Sequence, residues 1–383
     1  MKLPSRTFAA VAATLTLAIG TAPLAAGATD PSTTAPRAAD VEAAAAASAA
    51  AAHRVGIEPS GVHAVLAHAI DPNDYECEPT GLNAFVDKAI ADLALEELVF
   101  LVGHLEMLDI PTYDALLFGT SSNAGYGVRG DFRQSLTKTF TDARRFWDVQ
   151  SGDIQLMGMH GTMMRDAEQV ARVLKVDDIF GMTDAQAETS ATEIADAIAA
   201  GMFDGGDNAL FTLNAYAFTA EGDPDPLVQG LPDKLVFGDG ILDALNFLGI
   251  GDVGSRAVMG HEFGHHVQFE DGLFESPLTG PEATRRTELM ADAFGTYFAT
   301  HARGLALNTK RVLQAEQTSF EVGDCQFQSS GHHGTPNQRN RAASWAADLA
   351  DTARPQGKVL PSLRFADLFE AELPEIVAPD AAS

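Results

Sequence analysis

Five consecutive residues, His261-Glu262-Phe263-Gly264-His265, hold chemistry that the rest of the chain must serve. On a helix, side chains four residues apart stand on one face, one turn above each other. Two imidazoles placed in this way can share one tetrahedral zinc ion at about 2.0–2.1 Å. Glu262 projects beside them, where it can take a proton from an activated water. Ala257, Val258, Met259, Phe263 and Val267 flank the pair and predict a buried helix. Burying two histidines and a glutamate without a shared task is costly. A helix whose histidines merely fill a core would carry the same five letters, so the other ligands must decide.

The third ligand is expected from a second helix. The segment Thr287 to Asp292 offers Glu288, 23 residues after His265, and the stretch from Glu270 to Pro281 leaves room for a turn and a return. Leu289, Ala293 and Phe294 mark a face turned inward. Asp292 lies one helical turn beyond Glu288, placed to accept a hydrogen bond from a ligating imidazole. Asp292 itself, Glu270, Glu275, Glu282 and His301 are the competing ligands. His266 cannot share the face of His261 and His265 and reads as a packing or supporting residue.

Two further segments suit a peptidase. Asn214-Ala215-Tyr216 sits in a β-rich stretch ahead of the metal helix. A strand edge there could hydrogen-bond an extended peptide through its backbone, although an ordinary core strand would read the same way. His333 and Arg339 follow the second helix, and either could stabilise the oxyanion of an acyl-transfer intermediate. His332 competes for the first role. The expected reaction is hydrolysis of peptide bonds in a protein or peptide substrate, with one Zn²⁺ and Glu262 as general base. Two rivals remain: an idle zinc-stabilised extracellular binding module, and a hydrolase of some non-peptide amide. Retention of Glu262 disfavours the first, because a structural zinc site needs a closed ligand set and no base.

Read as longer strings, these segments are HEFGHHVQ (His261 to Gln268), ELMAD (Glu288 to Asp292) and HGTPNQR (His333 to Arg339). The set resembles the bacterial neutral zinc metallopeptidases, which pair an HExGHHVQ helix with an ELxAD helix and a later HGT-x-x-QR segment. The order of NAYA-like strand, HExxH helix and ExxxD helix is also similar to gluzincins of the CAAX-prenyl-protease and HtpX type, without their membrane helices. The resemblance implies His261, His265 and Glu288 as ligands and Glu262 as base. It covers about 209–350 and is silent on the first 150 residues, so substrate choice is not implied by it.

The elements that must position these residues read as α+β, a mostly helical zincin-like domain with a small sheet flanking the HExxH helix. Asp252 is a fair N-cap for the metal helix, expected to run to about Phe269. A second helix is expected over roughly 282–303 and a last one over 337–353. Strands are expected around 153–159, 209–219 and 234–237. Upstream, Phe85, Ile90, Leu93, Leu98, Leu101 and Leu105 predict one long helix over 82–108, ended by Pro111. Further helices are expected at 134–148, 162–175, 183–202 and 241–248.

The ends of the chain carry different signals. Lys2 and Arg6, the uncharged stretch Thr7 to Gly20 and Ala26-Gly27-Ala28 predict a signal peptide over 1–28 and export from the cell. Residues 29–55 read as an Ala-rich linker, 56–135 as an N-terminal helical region, 136–355 as the peptidase domain and 356–383 as a tail. The net charge of -28 excludes nucleic-acid binding and disfavours anionic membrane surfaces. The only two cysteines, Cys77 and Cys325, are expected to pair in an oxidising compartment. No internal stretch approaches the length of a membrane span.

Overall fold

The computed structural model describes residues 77–278, 280–325, 331–353 and 357–380. The expected signal peptide and Ala-rich linker lie outside them. Four helices open the described chain: α1 (Gly81–Ala91), α2 (Leu95–Gly103), α3 (Ile110–Phe118) and α4 (Gly130–Phe146). Strand β1 (Gln155–Met159), α5 (Ala167–Leu174) and α6 (Asp184–Ala199) follow. Then come β2 (Ala215–Phe218), β3 (Lys234–Gly238), α7 (Asp239–Phe247) and the long pair α8 (Gly251–Glu270) and α9 (Pro281–Thr300). Helices α10 (Thr309–Glu321), α11 (Pro336–Ala353) and α12 (Ser362–Ile376) close the chain. The architecture is α+β and mostly helical, with one three-stranded sheet in the order β1-β3-β2.

Helix α8 is the centre of the molecule. Every residue from Val258 to Gln268 is buried, so its polar side chains are sealed among apolar neighbours. Helix α9 runs alongside it and is buried from Arg285 through Thr300. Small residues set how closely the two approach. A Cβ on Gly295 would stand 2.7 Å from the His261 amide nitrogen, and one on Gly260 would stand 3.0 Å from the Gly295 Cα. Gly264 meets the Ala291 backbone at 3.0 Å in the same way. This seam of small residues lets acids on α9 reach histidines on α8.

The sheet lies against the other side of α8. Strand β3 pairs parallel with β1 and antiparallel with β2, with Ala215 opposite Phe237 and Phe218 opposite Lys234. All four residues of β2 are buried. Lys234 is a buried cation at the start of β3. Its Nζ donates to the Ala115, Leu116 and Gly119 carbonyls, which closes the C-terminal end of α3.

The N-terminal helices belong to this core. Phe140 on α4 meets Phe263 on α8 at 6.3 Å between ring centroids. Cys77 and Cys325 form a disulfide across 248 residues of chain. The expected helix over 82–108 is two helices and a 3-10 turn, because the first ends at Asp92 and Ala94 is extended before the second begins at Leu95. Pro111 begins α3 instead of ending a helix, a position where its missing N–H costs nothing. Helices α10 and α12 had no counterpart in the sequence reading. Phe365 of α12 packs on Phe294 at 4.7 Å and on Trp147 at 5.8 Å, so residues beyond 356 contribute to the core.

Candidate metal centre

His261 and His265 stand on one face of α8, with their Nε2 atoms 3.0 Å apart. Glu288 on α9 reaches both, Oε2 lying 3.4 Å from His261 Nε2 and Oε1 3.3 Å from His265 Nε2. The Glu288 side chain has no exposed surface. Among the described residues, these three form the one group of histidines and acids whose donor atoms could share a metal ion.

The hydrogen bonds around the group fix its protonation. His261 Nδ1 faces Asp292 Oδ1 at 2.9 Å, and a carboxylate only accepts. His265 Nδ1 faces Gln268 Oε1 at 2.8 Å, and Gln268 is oriented by its own donation from Nε2 to the Thr287 carbonyl at 2.8 Å. Both Nδ1 atoms therefore carry a proton, and both Nε2 atoms point at each other and at Glu288. Neither Glu288 oxygen has a hydrogen-bond partner. Two imidazole nitrogens and a carboxylate converging in a buried space call for positive charge between them, a metal ion or a proton. The donor set of two imidazoles and one carboxylate fits such an ion.

Electrostatics point the same way. Burial alone would push the His261 imidazole down, but Asp292 and Glu288 outweigh it and push it up to about 10. Burial would raise Glu288, yet His333 and His265 hold it well below the usual carboxylate range. Asp292 is likewise opposed by burial and held low by Arg339 and His261. The pocket favours positive charge at its centre.

No family model, curated protein or solved structure matches this chain. Glu262 is fully buried beside the group, and neither oxygen makes a complete hydrogen bond. The Ala217 N–H of β2 is the backbone donor turned toward it. Burial, reinforced by Glu288 and opposed by His261 and Arg339, pushes the Glu262 carboxyl up to about 8. A cavity of about 30 Å³ opens beside Glu262 and His261, walled by Ala215, Ile241, Val258 and Arg339. That is room for at least one water.

The other residues singled out in the sequence divide into two sets. Asn214 is 2% exposed with both amide atoms unpartnered, at the start of the strand whose next residue lines the cavity. Tyr216 turns elsewhere and donates its hydroxyl to the Thr112 carbonyl of α3 at 3.1 Å. Arg339 is buried behind the histidines, gripping Asp292 with Nε at 2.6 Å and Nη2 at 2.9 Å while Nη1 donates to the Val322 carbonyl. It orients Asp292 from this position. His333 is buried and lies close enough to Glu288 to lower it. His266 packs behind α8, its Nε2 donating to the Lys234 carbonyl at 3.0 Å. His301 ends α9 and bonds the Lys358 carbonyl.

Three supporting residues escaped the sequence reading. Gln268 sets the His265 tautomer. Ser319 of α10 faces Asp292 Oδ1 at 3.2 Å. Asp324 accepts from His332 Nδ1 at 2.6 Å, from the His333 amide at 2.7 Å and from His333 Nδ1 at 3.1 Å. Gln268 was visible as a polar residue three positions after His265 in a buried run. Asp324 follows a helix end in a loop, where no periodicity marks it.

Proposed function

We propose that this chain is a zinc-dependent metallopeptidase, held at His261, His265 and Glu288, that hydrolyses peptide bonds with Glu262 as general base. The observation that carries the reading is the combination of a three-ligand group with an unpaired, buried carboxylate next to a water-sized cavity. A structural zinc site closes its ligand set and has no use for Glu262. Two imidazoles and one carboxylate are a ligand set of catalytic zinc, which leaves a coordination position for reacting groups. When bound, zinc supplies a Lewis acid that acidifies water and polarises a carbonyl.

The protein's own residues supply the rest. Glu262 takes a proton from the attacking water and delivers it to the departing amine, for which a carboxyl raised by burial is suited. His333, held by Asp324, would donate to the oxygen on which negative charge develops. Arg339 keeps Asp292 aligned, and Asp292 keeps His261 in the tautomer with a free Nε2. The Asn214 amide offers a donor and an acceptor to an extended backbone alongside β2. The resemblance of the three motifs to neutral zinc metallopeptidases supports the same assignment. Export is part of the reading: the disulfide suits an oxidising compartment, and among the described residues no helix is long and apolar enough to cross a membrane.

The test is Glu262→Gln in the purified mature chain. The variant is expected to bind one zinc per chain and keep its fold while losing casein hydrolysis by about a hundredfold or more. Undiminished hydrolysis would remove Glu262 from the mechanism. Wild-type protein that holds zinc but cleaves nothing would favour the idle binding module.

A further inference from the structure

The N-terminal arm, residues 77–83, is joined to the segment that carries Asp324 by three separate contacts. The Cys77–Cys325 disulfide attaches it one residue after Asp324, with the two Cα atoms 5.9 Å apart. The Thr80 hydroxyl donates to the Glu321 carbonyl at 2.9 Å. The Leu82 N–H donates to Glu321 Oε2 at 3.1 Å, so the carboxylate sits at the N-terminal end of α1, where helix partial charge favours it. Glu321 is the last residue of α10 and is 7% exposed. Five residues therefore hold a bonded bridge at each end, with Asp324 between them.

From Asp324 the path to the metal centre is short. Its carboxylate holds both His332 and His333, and its N–H donates to the Gly334 carbonyl at 2.9 Å. Gly323 packs so tightly on Pro336 that a Cβ would meet the proline nitrogen at 2.4 Å. Gly334 (φ 103°) lies against Leu289, next to Glu288 on α9. Residues 323–325 and 331–336, the strap, are thus tied to each other and to α9, and His333 is held between Asp324 and the Gly334–Leu289 contact. None of the three ligands lies on the strap, so it can shift without releasing the ion.

We infer that the arm is a positioning element of the active centre: the oxidised Cys77–Cys325 bond, with the Glu321 cap, fixes Asp324 and through it the imidazole of His333. Cys77, Cys325 and Glu321 touch neither substrate nor metal. They act through Asp324. Breaking the disulfide leaves two thiols, the two electrons and two protons coming from an added phosphine or dithiol reductant. The arm then holds the strap only through the Glu321 contacts. His333 loses part of its alignment while His261, His265 and Glu288 remain in place on α8 and α9. A displacement of about 1 Å at a catalytic group is enough to cost about a hundredfold in rate.

The kinetic part of this inference rests on the peptidase reading; the structural part does not. The experiment uses the full mature chain loaded with zinc, in three forms: oxidised, reduced with a phosphine, and carrying Cys77→Ser with Cys325→Ser. Zinc content, hydrogen exchange of the peptide spanning 331–340, and casein hydrolysis are measured on each. Zinc is expected to stay at one per chain in all three. Exchange at 331–340 is expected to speed up about tenfold in the two forms without the bond, with α8 and α9 unchanged. The kcat is expected to fall about tenfold to a hundredfold with KM within about twofold, and the double-serine form should not respond to reductant. Equal protection of 331–340 with and without the bond overturns the inference. So does loss of zinc on reduction, which would make the bond a global brace. An oxidised chain that holds zinc and cleaves nothing refutes the peptidase reading alone, and the exchange data still decide the role of the arm.

Discussion

Asp292 is the residue on which the metal centre turns. It accepts from His261 Nδ1, Ser319 and both Nε and Nη2 of Arg339, and all three partner residues are buried. Removing the carboxylate has two effects. His261 loses the acceptor that keeps its proton on Nδ1, and the Arg339 guanidinium is left as a buried charge whose remaining acids are Glu288, at 3.6 Å, and Asp324. Asp292→Ala is expected to weaken zinc binding by about tenfold to a hundredfold, read by competition with a chromophoric chelator. Unchanged affinity would show that the His261 tautomer does not depend on Asp292. At this scale most of the centre was legible in the sequence. His261 and His265 are set by one helical turn, and Asp292 by one turn from Glu288. Asp324 was not, because a loop aspartate acquires its partners only through tertiary packing. Arg339 was visible as a site residue, but its side chain faces Asp292 and supports the histidine from behind, a direction that spacing alone does not encode.

Between α8 and α9 the decisive element is the seam of Gly260, Gly264, Ala291 and Gly295. A methyl group added at Gly295 would stand 2.7 Å from the His261 nitrogen and 2.8 Å from the Gly260 carbonyl carbon, both rigid backbone atoms. The helices must then separate, which moves Glu288 and Asp292 away from their histidines together. Gly295→Ala gains helix propensity, about 1 kcal/mol, and loses more to overpacking. Net destabilisation of about 1–3 kcal/mol is expected in urea unfolding of the metal-free chain, accompanied by weaker zinc binding. Equal stability and affinity would mean that the seam has slack. Both helices were legible because their motifs are long and flanked by apolar residues. The N-terminal helices were less so. The stretch from 82 to 108 has continuous apolar spacing, yet the helix end at Asp92 and the fresh start at Ala94, whose N–H donates to Glu97, divide it. Helix α10 is amphipathic and short, and no element was assigned to it from the sequence.

For the whole molecule, the sheet is tied to the surrounding helices by charged groups outside the ligand set, and these give stability a pH dependence of their own. His160 follows β1 and spans three segments. Nδ1 meets Asp239 Oδ2, the first residue of α7, at 2.6 Å, and Nε2 donates to the Gly127 carbonyl at 2.9 Å. With both nitrogens bonded to acceptors, the charged imidazolium is the form that fits. The Asp239 hydrogen bond raises its pKa; burial opposes this, and Asp239 and Asp207 charges add to it. A histidine raised on folding binds its proton more tightly in the native state than in the unfolded chain, where its pKa is about 6.5. Its contribution is therefore complete below about pH 6.5 and is lost as pH rises through the raised folded value. His160→Gln keeps a polar side chain without the charge. The difference in Tm between wild type and this variant is expected to be largest near pH 5.5 and to shrink steadily toward pH 9, measured on the oxidised chain. A gap that is flat with pH, or that widens as pH rises, would show that the native His160 is neutral and that the Asp239 contact is an ordinary hydrogen bond.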